Sequence, residues 1–449
     1  VKFKILDVQN LAVGYLCLWA TSPLLAYGTI YRIAAVGAVA LWALLELVRP
    51  GGILTRPTLP VILTLFFIGY TALIEAFLGE YRQYGWHIQM WIMLFFVIFY
   101  ESRRHNVRSM APIFWFMVIT LPIWYFTTYT AFDQYGTHTA RLLTRSSEYA
   151  QEVSSEGVGG YPLVYGAVVI LPALMLALIN VRRFTPLETP RWMAAASRVP
   201  FLVPALLFAN VVLGMALVVR AGFSIAIILM VFSLGLSLVF RRRSPLLLLM
   251  MPLMMMVAYM FLQVALVPLL QLLYPLTEGT PYYRKVRDVI ETLQNDQSEG
   301  TLDDRVSRYI RSLNLFLQSP VFGVLINRDV GKHSAYLDTY ARYGIAVGSV
   351  FVYLLTYLPV RMMQRMRDNF GLAFSILAIM ILLPLLNDTF SSLGVVLFIM
   401  VPVACDLVER SRAGPVPLPR KRLRIRWSSQ ADLVRPVPAR RTPPGGDRA

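Results

Sequence analysis

Long apolar runs separated by short polar breaks repeat along most of this chain. A membrane-crossing helix needs about 20 mostly apolar residues. That ruler predicts twelve crossings, at roughly 9–28, 31–49, 57–79, 84–100, 110–131, 161–181, 199–219, 221–240, 245–275, 333–360, 370–387 and 389–408. The pattern therefore predicts an all-α polytopic membrane protein, with the fourth and eleventh runs the shortest. The first run lacks a small-residue cleavage site after it, so it is expected to stay as a membrane helix.

Composition supports the same class. Only 15% of the 449 residues are charged, against about 25% in a soluble protein. Arginines then suggest an orientation, because every second connection is basic: Arg49/Arg56, Arg103/Arg104/Arg108, Arg182/Arg183/Arg191/Arg198, Arg241/Arg242/Arg243, Arg361/Arg365/Arg367 and the tail. The positive-inside rule then predicts that both termini are cytoplasmic.

The formal net charge is +17, but residues 410–449 hold 11 Lys and Arg against Asp432 and Asp447. That concentration argues against a nucleic-acid-binding face. The expected organisation is a membrane domain, 1–409, and a disordered Pro-rich basic tail, 410–449, attracted to anionic membrane lipids.

Two long connections fall on the opposite side, about 132–160 and about 276–332. The second carries eight basic and eight acidic residues, and a loop this long is expected to contain elements of its own. One helix is predicted at about 281–295. Another is predicted at about 302–318, with Leu302, Val306, Tyr309, Leu313 and Phe316 as its apolar stripe and Arg305, Arg308 and Arg311 on the other side.

Candidate chemistry gathers on that external side. His333 opens the stretch His333-Ser-Ala-Tyr-Leu-Asp-Thr-Tyr-Ala-Arg-Tyr-Gly344 directly after the arginine-rich loop. An imidazole with a pKa near 6.5 can accept a proton there. Tyr336, Leu337 and Tyr340 share its helical face, whereas Asp338 is expected to point away. Arg220 interrupts two apolar runs where the seventh and eighth helices meet, and ionisable groups at such depth tend to mark a site. Arg141, Arg145 and Asp388 belong to the same face.

Guanidinium groups suit phosphates because their planar fork donates two parallel hydrogen bonds. Glu75 and Asp388 are candidates for orienting His333 or binding sugar hydroxyls, with satisfied structural roles as the simpler reading. His87, His105 and His138 have no comparable context. Cys17 and Cys405 fit neither a disulfide framework nor metal-ligand spacing.

The run Arg305-Val-Ser-Arg-Tyr309, Pro320-Val-Phe-Gly323, His333-Ser334, Gly344 and Gly348, together with Arg220-Ala-Gly222, resembles the O-antigen ligase and O-antigen polymerase superfamily of bacterial surface-polysaccharide assembly. It differs in having Tyr309 where Trp is commoner, no second glycine after Gly323, and four-residue glycine spacing. The motifs cover roughly 205–350, and the topology covers the whole chain.

The resemblance implies a GT-C type, inverting, metal-independent glycosyltransferase without cofactor, in the bacterial inner membrane with a periplasmic active site. The implied donor is a glycan on undecaprenyl pyrophosphate. The implied acceptor is a second lipid-linked glycan (polymerase) or lipid A-core (ligase), with a chain-length regulator as a further partner. Arg220 and Arg305 would hold the pyrophosphate, and His333 would activate the acceptor hydroxyl. Arg308, Arg311, Arg141, Tyr309 and Asp388 complete the expected substrate-binding set. The competing expectations are a lipid-linked glycan or polysaccharide transporter and an assembly subunit without chemistry. No internal repeat supports the transporter.

Overall fold

The computed structural model describes residues 5–26, 28–78, 84–135, 148–181, 201–239, 301–325, 330–331, 334–366 and 369–413, with scattered positions between 271 and 290. The described residues are helical, without strands. Nearly all belong to the unit Val1–Arg412. Most of the predicted ninth crossing, most of the predicted helix at 281–295 and almost all of the tail lie outside the described residues.

Eleven of the twelve predicted crossings coincide with helices: α1 (Ile5–Thr21), α3 (Thr29–Val48), α4 (Leu59–Leu78), α5 (Tyr84–Arg103), α6 (Ala111–Tyr135), α8 (Tyr161–Asn180), α9 (Leu202–Ala221), α10 (Ser224–Val239), α12 (Ala335–Arg365), α13 (Phe370–Leu386) and a last helix, α14. The last runs from Ser391–Val395 through a π-helical turn, Val396–Met400, into Val401–Ala413. Seven of the described helices are long and apolar enough to cross a membrane. Three further apolar helices are shorter: Ile5–Thr21, Ile225–Leu238 and Phe370–Leu386.

The helix α14 is the axis of the bundle. Its crossing window is 94% buried, whereas that of α3 is 17% buried. A helix that is apolar all round belongs inside, and one that exposes Ile30, Ile33, Leu44 and Val48 belongs against lipid. The helices α1, α5, α6 and α8 surround α14, and α4, α12, α13 and α10 continue the layer outward. Gly394 lets α5 approach closely, since a Cβ there would lie 2.6 Å from the Met93 carbonyl oxygen.

Polar contacts divide the bundle into two ends. At one end Arg49 pairs with Glu46 at 2.8 Å, and Gln9 bridges Glu46 and Arg103. Nearby, Arg104 and Thr58 both bond Glu101, and Arg361 lies 3.7 Å from it. Arg49, Arg103, Arg104 and Arg361, predicted from the sequence to share a side, thus meet at one arginine-rich end. Cys17 and Cys405 are buried free thiols.

The far end carries two short helices besides α2 (Pro23–Ala26). Within the 132–160 connection, α7 (Glu148–Ser155) docks on α2 through Ser154, whose hydroxyl donates to the Pro23 carbonyl at 2.6 Å. In the second connection, α11 (Thr301–Gln318) coincides with the helix predicted at 302–318. Its buried stripe is rotated from the expected one. Ser312 is buried, Tyr309 and Phe316 are half-buried, and Leu313 is exposed. Ile310, Leu313 and Leu317 form an exposed apolar row, because a polar bond at Ser312 sets which face meets α12.

The tenth predicted crossing is two helices in one. Gly344 of α12 has φ 75° and ψ −176°, which breaks the helix after nine residues. The 21 residues that follow rise about 31 Å, the last five of them, Arg361 to Arg365, at the arginine-rich end. The nine before the break rise only about 13 Å. The helix expected over 333–360 is thus present as two pieces, 335–343 and 345–365, joined at Gly344.

Candidate functional site at the far end

Arg220 sits in the last turn of α9, facing the end of α6. Its guanidinium pairs with the Asp133 carboxylate and lies 4.4 Å from the Tyr129 ring centroid. The stacked ring fixes the plane of the fork. Asp133 is mostly exposed, so the pair itself contributes little stability. A carboxylate engages only part of the five-donor fork, which leaves capacity for an anion.

The helix α11 is tied down by three polar contacts. Tyr309 donates its hydroxyl to the Leu386 carbonyl at 2.9 Å. Ser312 donates to Asp338 at 2.6 Å and accepts the Gly331 N–H at 2.9 Å. Asp338 also accepts the Ser334 N–H at 3.4 Å. Asp338 is therefore buried and engaged through both oxygens, on a face other than that of Tyr336, Leu337 and Tyr340. A helical wheel could not anticipate α11 lying across that face. Ser334 caps α12 by accepting the Leu337 N–H at 3.2 Å.

The end of α13 is the junction of these segments. The Asn387 carbonyl accepts the Ala335 N–H at 3.1 Å, and its side chain donates to the Tyr165 hydroxyl at 3.2 Å. Tyr165 belongs to a nearly parallel ring stack with Tyr161, Phe223 and Phe390. The tightest pair, Tyr161–Phe223, has centroids 4.3 Å apart. Phe223 follows Arg220 by three residues and Phe390 follows Asp388 by two. A chain of contacts thus links the segments bearing Arg220, Tyr309, Ser334 and Asp388. The sequence reading missed this stack, although aromatics at the ends of apolar runs were the available signal.

Asp388 is half-buried, and its carboxylate accepts the Thr389 N–H at 3.0 Å. Arg308 is half-buried and Arg311 exposed on α11. Arg141 and His333 lie outside the described residues, as does the side chain of Arg305, whose backbone belongs to α11.

The turn 319–325 interlocks with the break in α12. Val324 and Leu325 donate their N–H groups to the carbonyls of Ala341 and Arg342 at 2.9 and 3.0 Å, and Ile345 donates to Pro320 at 2.8 Å. Backbone groups at the break are thereby satisfied.

Compared with known proteins, the chain matches no family model and no curated sequence. What this end can do rests on its own chemistry. It combines a braced guanidinium, further arginines on a short helix, a half-buried carboxylate and a platform of aromatic rings. Such a mixture suits a ligand with both phosphate and hydroxyl groups. A cleft of about 250 Å³ between Arg104, Arg361, Arg365, Asp406 and Glu409 lies at the opposite, arginine-rich end. Its mixed signs do not suit a polyanion.

His87 has a context that the sequence did not reveal. It is fully buried beside Glu75, with Nε2 2.7 Å from the carboxylate oxygen. Arg342 acts electrostatically on both groups. Residue separations of 12 and 255 along the chain hid this cluster from motif reading. The other histidines differ: His105 accepts from Arg104 at 3.0 Å at the arginine-rich end, and His138 lies outside the described residues.

Proposed function

We propose that this chain is a GT-C type membrane glycosyltransferase of surface-polysaccharide assembly. In this reading the far end faces the periplasm of a bacterial inner membrane, and both termini are cytoplasmic. It transfers a glycan from undecaprenyl pyrophosphate to the hydroxyl of a second lipid-linked glycan or of lipid A-core.

One observation carries the reading. Segments more than 160 residues apart, from Arg220 to Asp388, share one contact chain at the bundle end away from the arginine-rich network. That end is where a lipid pyrophosphate would present its charge. Arg220 and Arg305 hold the pyrophosphate, Arg308, Arg311 and Arg141 add positive potential, and His333 takes the acceptor proton. Negative charge develops on the leaving pyrophosphate, and fixed guanidinium groups favour that charge without reorganising. Tyr309 contributes by anchoring α11, and the aromatic stack offers a face for sugar rings.

The break in α12 has a counterpart in the interrupted helices of transporters. It lies nine residues from the helix start, with 21 residues after it, and so favours a site near one end over a midplane one.

The test is purification followed by incubation with undecaprenyl-pyrophosphate-linked repeat units. A ladder of products indicates a polymerase, and transfer to added lipid A-core indicates a ligase. Unchanged substrate under both conditions, with correctly folded protein, rejects the transferase.

A further inference from the structure

The cleft of about 250 Å³ at the arginine-rich end belongs to no part of the transfer site above. It lies where α5 and α12 end and α14 runs on. The ring of Phe398 in α14 ties these three helices together. It stacks on Tyr357 of α12 at 6.1 Å and meets Tyr100 of α5 at 6.4 Å. Leu358, Met362 and Cys405 give the cleft a buried apolar lining.

Its charges are sorted by helix. Arg361 and Arg365 stand four residues apart on α12 and share a face, while Asp406 and Glu409, three apart on α14, share another. Arg104 is already committed to the buried Glu101 carboxylate at 2.9 Å. Arg361 stands 3.7 Å from the same carboxylate and is 31% exposed, too far for a hydrogen bond. Among the described residues, no side-chain hydrogen bond engages Arg361 or Arg365. Both forks therefore retain donors for an acceptor in the cleft.

Three arginines face two carboxylates across the cleft, and Glu101 behind them offsets the third positive charge. A ligand with opposite signs at its two ends matches that arrangement, whereas an anion alone also meets the carboxylates. Clefts for drug-sized ligands run about 300–1,000 Å³, so this one suits a group smaller than a nucleotide or an oligosaccharide. Helix ends rich in arginine mark the membrane–water boundary, where lipid headgroups lie.

We propose that this cleft binds the headgroup of a phospholipid that carries a phosphate and a primary ammonium. Arg361 and Arg365 donate to the phosphate through their planar forks. Asp406 and Glu409 accept from the ammonium, and the apolar lining takes the glycerol end. The site does not depend on the transferase reading.

Native mass spectrometry of the full-length protein, stripped of lipid in detergent, tests this by titration with short-chain phosphatidylethanolamine, phosphatidylcholine and phosphatidylglycerol. The wild type is expected to hold the ethanolamine lipid about tenfold more tightly than either of the others, the scale of one charge-assisted hydrogen bond. Choline has no N–H to donate, and the glycerol headgroup has no positive charge. Arg361→Gln should weaken the ethanolamine lipid about tenfold. Asp406→Asn should lose the preference and hold phosphatidylglycerol more tightly than the wild type does, a gain that misfolding cannot produce. Equal affinity of the wild type for all three lipids overturns the proposal, as does wild-type selectivity in Asp406→Asn or wild-type affinity in Arg361→Gln. Displacement of the lipid by an equal concentration of inorganic phosphate overturns its assignment to a headgroup.

Discussion

Gly323 and Gly344 are locked against each other's chain. A Cβ on Gly323 would collide with the Arg342 carbonyl oxygen, and one on Gly344 with that of Val321. Both have positive φ, 71° and 75°. The Pro320-Val-Phe-Gly323 turn is thus the complement of the break in α12, and two separate parts of one sequence motif form a single joint.

Gly323→Ala and Gly344→Ala should each destabilise the protein by more than the ~1–2 kcal/mol of a left-handed backbone, because backbone must also move. Gly14 and Gly69 have open space around them, so alanine there should be neutral or slightly stabilising. Thermal unfolding in detergent checks the contrast. Equal melting temperatures for all four variants would mean that the joint does not exist as described.

Arg220→Lys keeps a charge but loses the planar fork and its stacking on Tyr129. Transfer activity should fall about a hundredfold, the scale of one removed electrostatic donor, with little change in melting temperature. Asp133→Asn should cost little stability, since an exposed pair is worth ~0–1 kcal/mol. Wild-type turnover in Arg220→Lys, measured with lipid-linked repeat units, would exclude a geometric clamp.

Ser312→Ala removes an acceptor for Gly331 N–H and a donor to Asp338. Leaving buried polar groups unpaired should cost ~1–3 kcal/mol. The loss should be local, so hydrogen exchange should speed up across 301–318 while α8 and α14 stay protected. Unaltered exchange in α11 would show that other contacts hold it.

His333→Ala should abolish product formation while expression and membrane insertion stay normal. Removing a general base costs about 10²–10⁴ in rate. A product ladder of wild-type length and yield, seen by gel analysis, would remove the imidazole from the mechanism.

The pattern of apolar runs alone located eleven helices, all but the first to within five residues at each end, because spanning length and hydropathy are local properties. Arginine spacing also anticipated that Arg49, Arg103, Arg104 and Arg361 share an end. Local information did not reach further. The break at Gly344 depends on a turn some 20 residues earlier filling the gap. The rotation of α11 depends on Ser312 meeting Asp338.

The same limit applies to the candidate site. Arg220 was legible as a charge interrupting apolar sequence, and Tyr309 as part of a spacing. Only tertiary structure gave Arg220 its partners in Asp133 and Tyr129, and Tyr309 its role as an anchor. It also brought Glu75 and His87 together from two helices. Hydrophobicity acts residue by residue, so sequence determined which segments form apolar helices. Pairing of polar groups acts between segments distant in sequence, so packing decided what they face.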